Sequence, residues 1–288
     1  MTDKILVTGA TGIVGRALVQ RLLAEGLEVK AGTRSPGLAD YLFGGAEVVE
    51  LDYDVTATWD AAVQWADRVF LVPPPFDSRA DERLVPFLDW AVQSGARQLV
   101  LLSAMAVDAR EPLALSRVEE RVERTGVEFT FLRPNIYMQN FARGFVARAI
   151  RQKGVFRLPV GGARVSFVDG RDVAAVAARV LTEPGHDGRT YTLTGPDSLA
   201  PDQVADVLGE VTGRTIRYEA ISEATLRDIL AGDHWAAGQA DSFVTLMDVV
   251  REGHREDVTP LVEELTGEPP IRFRSFAEEH ADVWAAPS

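Results

Sequence analysis

Gly9, Gly12 and Gly15, three residues apart, stand between an apolar run over residues 4–8 and a helical pattern in which Ala17, Leu18, Leu22 and Leu23 recur until Gly26. In such an arrangement the first glycine turns the chain sharply off a strand. The second lets backbone N–H groups approach a pyrophosphate, and the third lets the helix pack closely on the sheet. The helix N-terminus then meets the anion with unpaired N–H donors and a partial positive charge. Gly9, Ala10, Thr11, Gly12, Ile13, Val14 and Gly15 therefore form the expected cradle for a dinucleotide. The next strand selects the kind, because an acid at its end binds a ribose 2′-hydroxyl and an arginine accommodates a 2′-phosphate. Here the strand ends in Thr33, Arg34 and Ser35. Arg34 thus points to NADP(H), with Arg16 and Ser35 as further phosphate contacts.

The elements that must hold this cradle follow from hydrophobic patterning. Residues 28–33, 47–51, 68–72, 98–103 and 128–132 read as buried strands, separated nearly throughout by helical patterns. That alternation predicts an α/β fold, a Rossmann-like doubly wound parallel sheet with right-handed crossovers. The expected division is an NAD(P)-binding core over residues 1–133 and a smaller mixed, mainly helical substrate and lid region over 134–288, packed on the core. In that second region the pattern predicts a helix over 135–150, a short strand near 165–168, a helix over 171–182 and a strand over 190–194. Helix, strand and helix follow over 201–212, 216–221 and 223–231, and the remainder reads as a helical lid over the carboxyl edge of the sheet.

The chain has 288 residues, of which 46% are hydrophobic and 25% charged, enough for a substantial core. It has no apolar run of spanning length and opens on a core strand, so the expectation is a cytoplasmic protein without membrane contact. A net charge of −13 and the lack of a Lys/Arg cluster argue against a nucleic-acid partner. The absence of cysteine removes thiolate chemistry and disulfides. His186, His234, His254 and His280 show no ligand spacing, so no metal is expected. Nothing marks a self-complementary seam, which leaves monomer and homodimer both open.

Three segments carry a family resemblance: the glycine turn over 9–15, the run Thr130-Phe-Leu-Arg-Pro-Asn-Ile-Tyr-Met-Gln-Asn140, and Val165-Ser-Phe-Val-Asp-Gly-Arg-Asp-Val-Ala174. Together with the tail over 183–196, Val211-Thr-Gly-Arg and Ile221-Ser-Glu-Ala, they resemble the NmrA-like branch of atypical short-chain dehydrogenases/reductases. Within that branch the likeness is to the NADPH:quinone oxidoreductase and triphenylmethane reductase type. It implies the Rossmann fold, NADP(H) and a reductase. One departure matters. The standard members use a Tyr-x-x-x-Lys pair, in which lysine lowers the pKa of the proton-donating phenol. None of Tyr41, Tyr53, Tyr137, Tyr191 and Tyr218 has a lysine four residues on, and Ser116 and Glu119 stand near the sites of the pair. Hydride transfer to an activated acceptor remains feasible, since a quinone or cationic dye needs little acid assistance.

Ligands of a doubly wound sheet lie outside the carboxyl ends of its strands. The resemblance places Val72, Pro73 and Pro74 near the nicotinamide, with Pro75 and Phe76 in the same loop, and Asp52 with Tyr53 at the adenine edge. Ser103 matches the serine of the standard enzymes, followed by Ala104 and Met105. Tyr137 is the best-placed phenol for proton donation or substrate contact. Asn140 matches a family asparagine and could bind substrate or tie down the lid. Asn135 reads as a helix N-cap, and Asp172 as a structural ion pair or cap. Trp235, Phe243 and Met247 follow an amphipathic pattern suited to lid core or to the wall of a pocket for a planar acceptor. The leading expectation is NADPH-dependent hydride transfer to a small aromatic, quinone-like or otherwise conjugated molecule. Two others stand beside it: a non-catalytic NAD(P)-sensing regulator of a protein partner, and a redox-neutral biosynthetic isomerase, dehydratase or cyclase.

Overall fold

The computed structural model describes residues 4–107 and 114–286. Strands and helices alternate through Lys4–Val7 (β1), Ile13–Ala24 (α1), Glu28–Thr33 (β2), Pro36–Leu42 (α2), Glu47–Glu50 (β3) and Trp59–Val63 (α3). The alternation continues through Arg68–Leu71 (β4), Ala80–Gln93 (α4), Gln98–Leu102 (β5), Ala114–Glu123 (α5) and Glu128–Pro134 (β6). After a 3-10 turn at Met138–Phe141 come Gly144–Lys153 (α6), Val155–Leu158 (β7), Gly170–Thr182 (α7), Arg189–Leu193 (β8), Pro201–Thr212 (α8) and Arg217–Ala220 (β9). Helices Glu223–Gly232 (α9), Ala237–Arg251 (α10), Leu261–Thr266 (α11) and Phe273–Glu279 (α12) complete the described chain.

The contacts divide the chain into two units, the first made of Met1–Pro74, Arg79–Pro134 and Gly170–Thr192 and the second of Pro75–Ser78, Asn135–Asp169 and Leu193–Ser288. A single cut after residue 133 is what the sequence pattern suggests, whereas this division is discontinuous. In the first unit seven strands are ordered β3-β2-β1-β4-β5-β6-β8, and the pairs from β3 to β6 are parallel. The strand order reverses between β1 and β4, which places a ligand crevice at the carboxyl ends of these strands. Strands buried on both faces read as continuous apolar runs, and Leu99, Val100 and Leu101 of β5 are all fully buried. Helix α7 packs against α1, and β8 lies beside β6, which explains why this later segment belongs with the sheet.

The second unit departs from expectation in three places. No continuous helix spans 135–150: the chain leaves β6 extended, makes the 3-10 turn and only then enters α6. No strand forms at 165–168; Val165 bridges Leu199 and Val168 bridges Tyr137, each in isolation. A strand that the pattern did not reveal, β7, pairs in parallel with β9 as a separate two-stranded sheet. The core of this unit is aromatic. Phe141 meets Phe156, Phe167 and Phe273 edge to face at 5.3–5.5 Å, and Trp284 Nε1 donates to the Phe141 carbonyl at 2.7 Å. Among the described residues no helix is long and apolar enough to cross a membrane.

Candidate functional site

In the first unit the glycine turn has the form that its sequence predicts. Gly9 adopts φ +58° and lies so close to the end of β4 that a Cβ there would stand 2.9 Å from Val72 Cβ. Gly12 is the N-cap of α1 and brings no side-chain cap, nor does the first turn of the helix carry an acid. Its leading N–H groups are therefore left to an external acceptor. A side chain at Gly15 would overlap the Gly9 carbonyl oxygen and stand 3.0 Å from Ala10 Cα. This glycine thus lets the helix close on the turn itself, rather than on the sheet as the spacing suggested.

The turn is stitched to the end of β2. Ala10 N donates to the Gly32 carbonyl at 3.1 Å, and the hydroxyls of Thr11 and Thr33 lie 3.3 Å apart. Arg34, the next residue, is exposed, as is Arg16 in the first turns of α1. Among the described residues neither guanidinium has a hydrogen bond or ion pair. An uncapped helix N-terminus beside two uncompensated arginines is the donor set that a phosphorylated dinucleotide requires.

The rim of the sheet is more committed. Asp52 Oδ1 accepts from Asp54 N at 3.0 Å, and its carbonyl accepts from Trp59 Nε1 at 2.9 Å, so this residue shapes its own turn. Tyr53 is spent on the scaffold: its hydroxyl reaches Thr8 Oγ1 at 2.7 Å and the Val72 carbonyl at 3.0 Å, while Val72 N donates to Thr8 Oγ1 at 2.8 Å. Burial pushes the Tyr53 phenol far above its usual range. This latch, which ties the loops after β1, β3 and β4 together, was not read from the sequence. Pro73 and Pro74 follow Val72, and the next four residues belong to the second unit.

Ser103, at the end of β5, donates its hydroxyl to Glu119 Oε1, and Arg133 grips the same carboxylate in bidentate fashion, Nε to Oε1 at 3.0 Å and Nη2 to Oε2 at 2.6 Å. Where a Tyr-x-x-x-Lys pair would lie, this chain has a buried, charge-paired glutamate. Ala104 and Met105 follow, with Met105 N bonded to the Pro134 carbonyl at 3.0 Å, and Ala106 takes φ +53°. Asp172 is buried in the first turn of α7.

In the second unit Asn135 is no helix cap. Its Nδ2 donates to Ser166 Oγ and to the Arg255 carbonyl, both at 2.8 Å, and its Oδ1 accepts from Ile136 N at 2.9 Å. Those bonds pull residues 135–141 into an extended strap, which Gln139 secures through Asp169 at 2.9 Å. Tyr137 sits on this strap, half-buried, and among the described residues its hydroxyl has no hydrogen-bond partner. Burial raises its pKa well above the usual phenol value. Asn140 is exposed and lines an apolar cavity of about 60 Å³ together with Ile136, Phe167, Phe243 and Met247. Phe76, with φ +54°, packs its ring on Trp235 at 5.3 Å and Phe243 at 5.2 Å.

The chain is 38% identical to the (4-alkanoyl-5-oxo-2,5-dihydrofuran-3-yl)methyl phosphate reductase of Streptomyces griseus, over 98% of this chain and 99% of that protein. It is 32% identical to the NAD(P)H azoreductase of Xenophilus azovorans, with the same coverage. Among solved structures, an NADPH-dependent quinone oxidoreductase from Escherichia coli, complexed with NADPH, aligns with a TM-score of 0.80 at 25% identity, over 96% of this chain and 99% of that one. The description of the NmrA-like family matches residues 1–264. With the glycine turn, the strap after β6 and the start of α7 all inside that match, the chain belongs to the NmrA-like family.

Proposed function

We propose that this chain is an NADPH-dependent reductase of small conjugated acceptors, with the quinone-like class as its target. The observation that carries the cofactor is the uncapped N-terminus of α1 beside the unpaired guanidinium groups of Arg34 and Arg16. Gly9 to Gly15 hold the pyrophosphate, Arg34 takes the 2′-phosphate, and Val72 to Pro74 with Ser103 and Ala104 border the nicotinamide. Asp52 lies toward the adenine. Bound NADPH supplies the hydride.

The residues of the chain then have two tasks. The first is to keep the acceptor oriented and dry, for which the apolar lining around Phe243 and Met247 is suited. The second is to manage one proton. Tyr137 has an unengaged hydroxyl that stays protonated at neutral pH, so it donates a hydrogen bond to the oxygen on which negative charge develops. The Ser103 hydrogen is already given to Glu119, so Ser103 serves by positioning and by its remaining lone pairs. Asn140, at the cavity, offers an amide to the acceptor. A neutral phenol without a neighbouring lysine is a weak acid, which suits acceptors whose reduced oxyanion is itself stabilised. Such acceptors match the names of the relatives: an acylated oxodihydrofuran, an azo compound and a quinone are all electron-poor conjugated systems.

The test is the loss of reduced-nicotinamide absorbance when protein and NADPH meet a panel of quinones, azo dyes and enones. Oxidation that requires both protein and acceptor supports the reading. Tight NADPH binding without turnover of any acceptor sinks it and favours the sensing role.

A further inference from the structure

We propose that Arg255 is a recognition site for an anionic group, a phosphate or carboxylate, carried by the acceptor. Arg255 lies in the segment after α10 and is 5% exposed. Its backbone is fixed from two directions, since its carbonyl oxygen accepts from Asn135 Nδ2 at 2.8 Å and from Ser166 N at 3.0 Å. Asn135 and Ser166 are themselves buried, and Ser166 Oγ donates to the Asp257 carbonyl at 2.6 Å, so this segment has one defined path.

The side chain is the anomaly. Arg255 Nε is buried with no hydrogen-bond partner, and among the described residues no acid pairs with the guanidinium. The other buried ionisable side chains are engaged: Lys30 with Glu47, Glu119 with Arg133, Asp169 with Gln139, and Asp172 likewise has a partner. Burial lowers the Arg255 pKa to about 10, which still leaves a full positive charge at neutral pH. A buried donor on a cation that has neither counter-ion nor acceptor is costly, and an anionic ligand that supplied the acceptor would remove that cost. A planar fork of N–H donors is the group best matched to phosphate or carboxylate.

Arg255 belongs to the unit that carries Tyr137 and the apolar cavity, not to the unit that holds the candidate cofactor residues. Ile136 and Val165, which line that cavity, are the chain neighbours of Asn135 and Ser166, and Val250 lines it five residues before Arg255. On this proposal the ligand is an acceptor with a short apolar portion for that cavity and one anionic substituent for Arg255, which is not itself among the residues lining the cavity. On a chain of net charge −13, such an anion needs a local cation. This assignment rests on the reductase reading for the identity of the ligand.

Two matched acceptors test it: 3-(1,4-naphthoquinon-2-yl)propanoate and its uncharged methyl ester, with wild type, R255M and R255K. The expected result is that the carboxylate-to-ester ratio of kcat/KM falls at least tenfold in R255M, through KM, and recovers in part in R255K. An unchanged ratio overturns the proposal. So does an equal loss of NADPH affinity in R255M, measured by nicotinamide fluorescence, because the guanidinium would then serve the phosphates of the cofactor. Calorimetric titration with 1-naphthyl phosphate and 1-naphthol in the presence of NADP+ needs no turnover. Binding of the phosphate that weakens tenfold in R255M supports the anion site even where no quinone is reduced, whereas phosphate binding that is absent or insensitive to the substitution overturns it. R255M should melt no lower than wild type, since it removes an uncompensated charge, and a correctly folded R255K secures the comparison.

Discussion

At the scale of single residues, the distinction that matters is between polar groups already spent and those left unengaged. Tyr53 and Ser103 were both legible as strand-end residues near a crevice, yet their hydroxyls are committed to Thr8 and Val72 and to Glu119. No sequence pattern discloses such commitments, because the partners lie 16 to 45 positions away. Arg34 and Tyr137 are unengaged, and their substitution should be felt in function before stability. R34A should weaken NADPH by about ten- to a hundredfold, the worth of a hydrogen-bonded charge pair, and leave NADH nearly unchanged; equal losses in parallel fluorescence titrations would remove the 2′-phosphate assignment. Y137F should lower kcat by up to about a hundredfold, the low end for acid catalysis, since activated acceptors need little help. The phenol pKa is raised, so the neutral form persists through neutral and mildly alkaline pH, and wild-type kcat should show no Tyr137-dependent fall below pH 9. The same shift means that its favourable contribution to stability is complete below the ordinary phenol value and is lost only as pH rises through the elevated one.

At the scale of elements, legibility followed the physics of burial. The strands of the parallel sheet are buried on both faces, so they announce themselves as apolar runs, and β2 was read to the residue. The strap after β6 departs from the expected helix: only Phe141 and Phe145 stand at i,i+4 spacing, and the bonds that keep the strap extended come from Ser166 and from residue 255. β7 has only four residues and its partner begins more than sixty positions later, so neither length nor a neighbouring turn marked it. Arg255 sits in a charged run, Arg-Glu-Gly-His-Arg-Glu-Asp, within the stretch expected to be a helical lid, whereas the structure ends α10 at Arg251. The glycine turn is where sequence and geometry agree most closely, and it yields a sharp expectation. In G15A the new methyl group meets the Gly9 carbonyl, so the turn must open. Strain of this kind costs about 1–3 kcal/mol. G15A should therefore melt several degrees lower and bind NADPH and NADH with similar, severe losses, in contrast to the selective defect of R34A; wild-type affinity in G15A would show that the turn is not part of the cradle.

For the molecule as a whole, the allocation of residues between the two units decides how binding couples to stability. The expected contacts of the dinucleotide all fall in the first unit, among Gly9 to Gly15, Arg34, Asp52, Val72 to Pro74 and Ser103 to Ala104. A ligand that binds only the folded form at a hundred times its Kd stabilises by about 2.7 kcal/mol. At roughly 2–4 °C per kcal/mol for a unit of this size, saturating NADPH should raise Tm by about 5–10 °C. NADH at the same concentration should raise it less, and R34A should bring the two shifts together, because only the 2′-phosphate distinguishes the ligands. Hydrogen exchange followed by mass spectrometry locates the effect. Peptides containing the turn after β1 and the ends of β2 and β4 should gain the most protection, since those backbone segments are stitched together by the Ala10, Thr11 and Thr8 bonds. Protection confined to the second unit, with the turn after β1 unchanged, would place the cofactor elsewhere and would detach Arg34 and the glycines from the function assigned to them.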